Sequence, residues 1–122
     1  VDVAEDVFVQ GEEFLLETAL NNLLQNAIDF SPSGGVISLL LKEENGAARI
    51  TILDQGAGIP EYAQERIFDR FYSLPRPNSE HKSSGLGLCF AREAIELHGG
   101  ELGLRNREGR EGVEASVILP KA

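Results

Sequence analysis

Three stretches of this chain hold residues whose types and spacing suit chemistry. The first is a pair of asparagines, Asn22 and Asn26, four apart on an expected helix, so both carboxamides point the same way. Three of the six residues from 21 to 26 are asparagine (Asn21, Asn22, Asn26), although asparagine is a mediocre helix former. Carboxamide oxygens are hard ligands that suit Mg²⁺, an ion that keeps most of its waters and bridges phosphates. A solvated polar face is the alternative. The second stretch is Asp54-Gln55-Gly56-Ala57-Gly58, followed by Ile59. Strand alternation puts Ile50, Ile52 and Asp54 on one side, so a core-facing Ile52 brings Asp54 inward. A carboxylate there is costly unless hydrogen-bonded. The exocyclic amino group of adenine would satisfy it, and Gly56 and Gly58 would let the backbone approach the ring. Alone, the same run is also an Asx-type turn closing a strand.

The third stretch is Ser83-Ser84-Gly85-Leu86-Gly87-Leu88, which enters a helix. Free N–H groups and the positive dipole end there suit phosphate. Ser84 would add a hydroxyl, and Lys82 or His81 a positive charge. No Gly-Lys-Ser/Thr ends the run, so it is not a Walker loop. A flexible loop with a small-residue helix start is the alternative. Phe68-Asp69-Arg70-Phe71-Tyr72 sets aromatics beside the expected pocket. Phe71 or Tyr72 would line it, Arg70 would reach phosphate or a partner domain, and Phe68 is expected in the core. His98 closes a helix, where a capping role outweighs catalysis. His81 lies in a polar loop, so no catalytic triad or metal cluster is visible. Cys89 is the one cysteine, which excludes an internal disulfide and makes it a small buried hydrophobe in expectation.

The elements that must position these groups follow from periodicity. Val7-Phe8-Val9 reads as a short strand. A helix is expected from Glu12 to Phe30, opened by acidic residues and stopped before Ser31-Pro32-Ser33-Gly34-Gly35. At about 100° per residue, Leu16, Leu20, Leu23, Leu24, Ala27 and Ile28 share one broad face, while Thr18, Asn22, Gln25, Asn26 and Asp29 share the other. Val36 to Lys42 and Arg49 to Asp54 form a hairpin around Asn45-Gly46. Glu61 to Phe68 is expected as a short helix, and the polar stretch from Pro75 to Ser84 as a loop of functional length. A second long helix runs from about Gly87 to His98 and stops at Gly99-Gly100. Strands Glu101 to Asn106 and Val113 to Leu119 close the chain through Glu108-Gly109-Arg110. This order predicts a two-layer α/β sandwich, a mixed and mostly antiparallel sheet packed on three helices, in a single domain over residues 1–122. Alternating βαβ units, and with them a doubly wound fold, are absent.

Bulk properties exclude several classes. The formal net charge is −9, against nucleic acid and anionic lipid as partners. No apolar run approaches the ~20 residues that span a membrane. A polyanionic ligand must therefore be met by local dipoles and a cation. The chain starts at Val1 and lacks methionine, as expected of a piece of a longer protein.

The order of the motifs is more specific than any one of them. Asn22-Leu-Leu-Gln-Asn26-Ala27 resembles the N box of histidine kinases, and Asp54-Gln-Gly-Ala-Gly58 the G1 box. Phe68-Asp-Arg-Phe71 resembles the F box, and Ser84-Gly-Leu-Gly-Leu88 with His98-Gly-Gly the G2 region. Together, from about residue 20 to 100, they are similar to the Bergerat-type ATP-binding domain that histidine kinases share with gyrase, Hsp90 and MutL. The resemblance implies Asp54 on the adenine amino group, Asn26 on Mg²⁺ and Asn22 supporting the phosphate side. It implies Gly56, Gly58, Gly85 and Gly87 shaping the pocket, with Ile59, Leu86 and Leu88 among its lining, and an ATP lid from Tyr72 to Ser84. It also implies transfer of the γ-phosphoryl group of ATP to a histidine on a separate dimerisation domain, then to an aspartate on a response regulator. That histidine is expected upstream of Val1, in a membrane-anchored dimer whose ATP-binding domain is cytoplasmic and does not itself touch the membrane.

Two positions depart from the family pattern. Asp29 stands where a Lys or Arg often reaches phosphate, and Ser83 replaces the usual first glycine of G2. Neutralisation must then come from Mg²⁺, Lys82, Arg70 or elsewhere. Hydrolases of the same fold are similar in keeping a water-activating Glu four residues before the metal-binding Asn. Here Asn22 stands there, and an amide is no general base at neutral pH. The same position speaks against an anti-sigma serine kinase. A non-catalytic binding module is disfavoured by Asn22, Asn26, Asp54 and the glycines together.

Overall fold

In the computed structural model the described residues are Val9, residues 11–70 and residues 87–120. Helix α1 (Glu13–Phe30) is capped by Glu12, whose side chain accepts from the Leu15 N–H at 2.8 Å. It ends because Pro32 forces Ser31 out of the helical region, to φ −79° and ψ 148°. Ala19, Leu23 and Ala27, at four-residue spacing, are its buried stripe. Helix α2 (Gly87–Leu97) buries Ala91, Ala94 and Ile95 in the same core. Alanines on both helices permit close approach of the backbones. Helix α2 stops in a Schellman motif, with Gly100 N–H bonded to Ile95 C=O and Gly99 N–H to Glu96 C=O.

The helices cover one face of a four-stranded sheet. Strands β1 (Ser38–Glu44), β2 (Ala47–Leu53), β3 (Glu101–Asn106) and β4 (Val113–Pro120) lie in the order β1-β2-β4-β3. The sequence pointed to a mixed and mostly antiparallel sheet. Among the described strands all three pairings are antiparallel; of the expected strand Val7-Phe8-Val9, Val9 forms a bridge, and Val7 and Phe8 lie outside the described residues. Ile52, Ala115, Val117 and Leu119 face the helices and are buried. On the other face Arg105 meets its cross-strand neighbour Glu114 at 2.8 Å, and this bond holds the exposed guanidinium's pKa above its ordinary value.

Several expected boundaries shift for local reasons. The first hairpin starts at Ser38, because Asn45 and Gly46 both have positive φ and pair Glu44 with Ala47. Val36 is outside it, and its N–H donates to the Gln55 side chain at 3.0 Å. The short helix expected over Glu61 to Phe68 is a 3-10 turn at Glu61–Ala63 followed by turns, so two α-helices flank the sheet among the described residues. Ile28, expected on the apolar face of α1, is 53% exposed. It lies beside Pro32, Gly35 and Ile37 at the rim of an open depression of about 370 Å³ that holds no carboxylate.

His98 joins the two helices. Its Nδ1 lies 2.7 Å from Ala94 C=O, and its Nε2 accepts from the Glu12 N–H at 2.9 Å. The ring is therefore the neutral tautomer with its proton on Nδ1, and it locks the start of α1 to the end of α2. Cys89, expected buried, is half-buried, with its sulfur 3.7 Å from a Glu93 carboxylate oxygen.

Candidate functional site: a carboxylate held by a hairpin

Strand β2 delivers Asp54 to the core side, where it is 5% exposed. Its Oδ1 accepts two backbone bonds, from Gly56 N–H at 2.9 Å and Val113 N–H at 3.0 Å. Its own N–H continues the ladder to Val113 C=O at 3.1 Å. Arg107 donates to the Asp54 carbonyl at 2.9 Å. The first of these bonds is the Asx turn that the sequence allowed, and burial adds to it. Two donors fix one carboxylate oxygen, and Oδ2 has no donor among the described residues. Such an oxygen suits a ligand N–H.

The following turn packs against its surroundings at two glycines. A Cβ on Gly56 would lie against the Phe30 carbonyl, the last residue of α1. Gly58 has φ +91°, and a Cβ there would come 2.8 Å from Asn106 Oδ1. The loop after β2 thus touches both the asparagine-bearing helix and the β3–β4 hairpin. Ile59 is buried with Ala63 and Ile67 in a small cluster, with Phe68, Leu88, Leu104 and Val113 packed around it.

The third stretch meets the first at Gly87. A Cβ on Gly87 would sit 3.7 Å from Asn22 Cγ, so the start of α2 abuts Asn22 on α1. Asn26 lies one turn further on, and both asparagines are half-buried. Neither makes a side-chain hydrogen bond among the described residues. Asp29 accepts from Gln25 Nε2 at 2.9 Å. Leu88, expected to line the pocket, packs against both apolar clusters. Phe68 is half-buried, and the Arg92 guanidinium lies 5.1 Å from its ring centre. Arg70 is exposed, 3.6 Å from Glu93. Cys89 and Glu93 hold its guanidinium pKa above the ordinary value. Phe71, Tyr72, Lys82, Ser83, Ser84, Gly85 and Leu86 lie outside the described residues.

The structure therefore joins Asp54, Gly56, Gly58 and Ile59 in one loop and brings Asn22 to Gly87. Asn106, Arg107 and Val113, which hold that loop, escaped the sequence analysis. They lie 47 to 59 residues from their partners, beyond any local spacing pattern.

The donor set fits a Mg²⁺ nucleotide. Among the described residues no group of three or more His, Cys, Asp or Glu forms a protein-built metal cage. A carboxamide completed by phosphate oxygens and water is the common alternative for Mg²⁺. No helix among the described residues is long and apolar enough to cross a membrane.

A buried acid after a central strand, an asparagine helix beside it and a glycine-led helix facing that helix define a class. Residues 11–122 match the family of histidine kinase-, DNA gyrase B- and HSP90-like ATPases, and the chain belongs to it. Over 115 residues it is 53% identical to the sensor protein CreC of Escherichia coli (strain K12), covering 93% of this chain and 24% of that protein. The solved structure of a mycobacterial sensor histidine kinase, MprB, superposes with a TM-score of 0.80 at 32% identity, covering 93% of this chain and 74% of that one. The histidine kinase ThkA, solved in complex with the response regulator protein TrrA, gives a TM-score of 0.77 at 29% identity, with 97% and 32% covered. The fold is thus the Bergerat-type sandwich.

Proposed function

We propose that this domain binds Mg-ATP and that the protein containing it is a two-component sensor kinase. The γ-phosphoryl group would pass to a histidine on a separate dimerisation domain of the same kinase, and then to an aspartate on a response regulator. The observation that carries this is Asp54, a buried carboxylate with one oxygen held by two backbone donors and the other open to a ligand amino group. Adenine presents such an amino group, and guanine a carbonyl in its place.

The other residues supply the phosphate end. Asn26 would ligate Mg²⁺, with Asn22 beside it and the positive end of α2 at Gly87 facing the chain of phosphates. Mg²⁺ would supply the charge neutralisation that Asp29 does not. Ser83, Ser84 and Lys82 would donate from the lid, with Phe71 and Tyr72 lining it. Arg70 is best suited to a partner domain, since Glu93 already faces its guanidinium. Transfer of this kind rests on positioning and electrostatics, which suits a site without a general base at residue 22. The similarity to CreC and to a kinase solved with its regulator supports this reading. The same likeness supports a full-length sensor in the bacterial inner membrane with this domain in the cytoplasm.

The test is transfer itself. The domain with γ-labelled ATP and Mg²⁺ is mixed with the separately produced dimerisation domain of its own full-length chain. Label is expected on the histidine of that domain, with little free phosphate released. Rapid hydrolysis with no labelled histidine would instead make this an ATP hydrolase of the same fold.

A further inference from the structure

The loop that carries Asp54 is held at two ends by one hairpin. Its near end is fixed by Val113, which bonds Asp54 through the ladder and through Oδ1, and by Arg107 on the Asp54 carbonyl. Its far end is fixed by Asn106, with a longer contact of 3.5 Å from Gln64 Nε2 to the Ile59 carbonyl. Asn106, the last residue of β3, accepts from Ile59 N–H at 2.6 Å through Oδ1 and donates to Ile59 C=O at 3.0 Å through Nδ2. One carboxamide thus satisfies both backbone groups of Ile59, as a neighbouring strand would. Pro60 follows and has no N–H of its own to offer. The same Oδ1 occupies the space that a Cβ of Gly58 would need.

This arrangement has a chemical requirement that few side chains meet. The residue must present an acceptor and a donor side by side, at the reach of an asparagine. Aspartate offers acceptors only, and alanine offers neither. We propose that Asn106 is a positioning residue for the nucleotide: it holds the Gly56–Ile59 turn in the shape that the base lies against, without contacting the base. The proposal rests on the Mg-ATP reading of the site. Because Asn106 acts at the base end, its loss weakens ATP, ADP and adenosine by the same factor. A residue acting on phosphate or Mg²⁺ would change the ratios among them.

The experiment combines amide hydrogen exchange without nucleotide and titration with ATP, ADP and adenosine, on the parent, Asn106→Ala and Asn106→Asp. In Asn106→Ala the Ile59 amide is expected to exchange at least about tenfold faster, with core amides such as Ile52 unchanged. All three ligands are expected to weaken by about tenfold, the scale of one or two lost hydrogen bonds. Asn106→Asp keeps an acceptor, so Ile59 stays protected while its carbonyl loses the shorter of its two donors and keeps Gln64, and binding falls by an intermediate factor. Unchanged Ile59 exchange in Asn106→Ala would overturn the clamp. Faster exchange with parent-like affinity would overturn its role in positioning, and a loss confined to ATP and ADP would move that role to the phosphates. A parent that binds none of the three ligands would overturn the Mg-ATP reading instead, and Ile59 exchange would still decide whether Asn106 holds the turn.

Discussion

Asp54 is oriented before any ligand reaches it. The Gly56 and Val113 amides hold one oxygen, so binding need not order the side chain, which removes part of its entropic cost. Gly58 is as constrained. Alanine there meets φ +91° and the Asn106 amide together, and Gly58→Ala is expected to cost about 1–3 kcal/mol in urea unfolding and to weaken ATP. Parent-like stability would mean that the turn relaxes freely. At the other end of the site, Asn26→Ala is expected to abolish the tightening that Mg²⁺ brings to ATP binding, leaving affinity in chelator unchanged. Equal affinity with and without Mg²⁺ in the parent would remove Asn26 from the metal.

At the scale of elements, the two helices are held by small residues and two large ones, Leu23 and Ile95. Ile95 is fully buried between α1 and the sheet. Ile95→Ala is expected to destabilise the domain by about 2–5 kcal/mol, read as a fall in the urea midpoint with the slope unchanged. A loss below about 1 kcal/mol would show that the core refills the space. The sequence announces most of these elements. The stripe on α1, the Asn45-Gly46 turn and the Gly99-Gly100 stop are local signals, and each stands within a few residues of its place. Asp54 was legible through the alternation with Ile50 and Ile52. What was not legible depends on distant partners. Asn106 looks like an ordinary strand end, because its meaning comes from Ile59, 47 residues away. The stretch from Glu61 to Phe68, expected as a short helix, is a 3-10 turn at Glu61–Ala63 followed by turns, with Ala63 and Ile67 tied to the cluster around Ile59. Ile28 fits the apolar face by angle, and is exposed because the chain leaves the helix three residues later into the Pro32–Gly35 turn.

At the scale of the molecule, this chain spans 24% of the length of its relative CreC. A net charge of −9 repels a nucleotide at long range, so in the proposed function affinity would come from the local arrangement of Asp54, the turn glycines, Asn26 and Mg²⁺. On the proposed reading, different parts of the fold would recognise the base and the phosphates, the β2 loop and its hairpin for the one, α1 and the start of α2 for the other. Adenine recognition by Asp54 is the claim on which the rest depends. Its direct test is calorimetric titration of ATP and GTP, with Mg²⁺, into the parent and Asp54→Asn. An amide at this position still accepts from Gly56 and Val113, so the fold is kept while the acceptor for the base is impaired. The parent is expected to bind ATP and to show no binding of GTP at the same concentrations, and Asp54→Asn to bind ATP at least about tenfold more weakly. Equal binding of ATP and GTP by the parent, or unchanged ATP affinity in a folded Asp54→Asn, would contradict it.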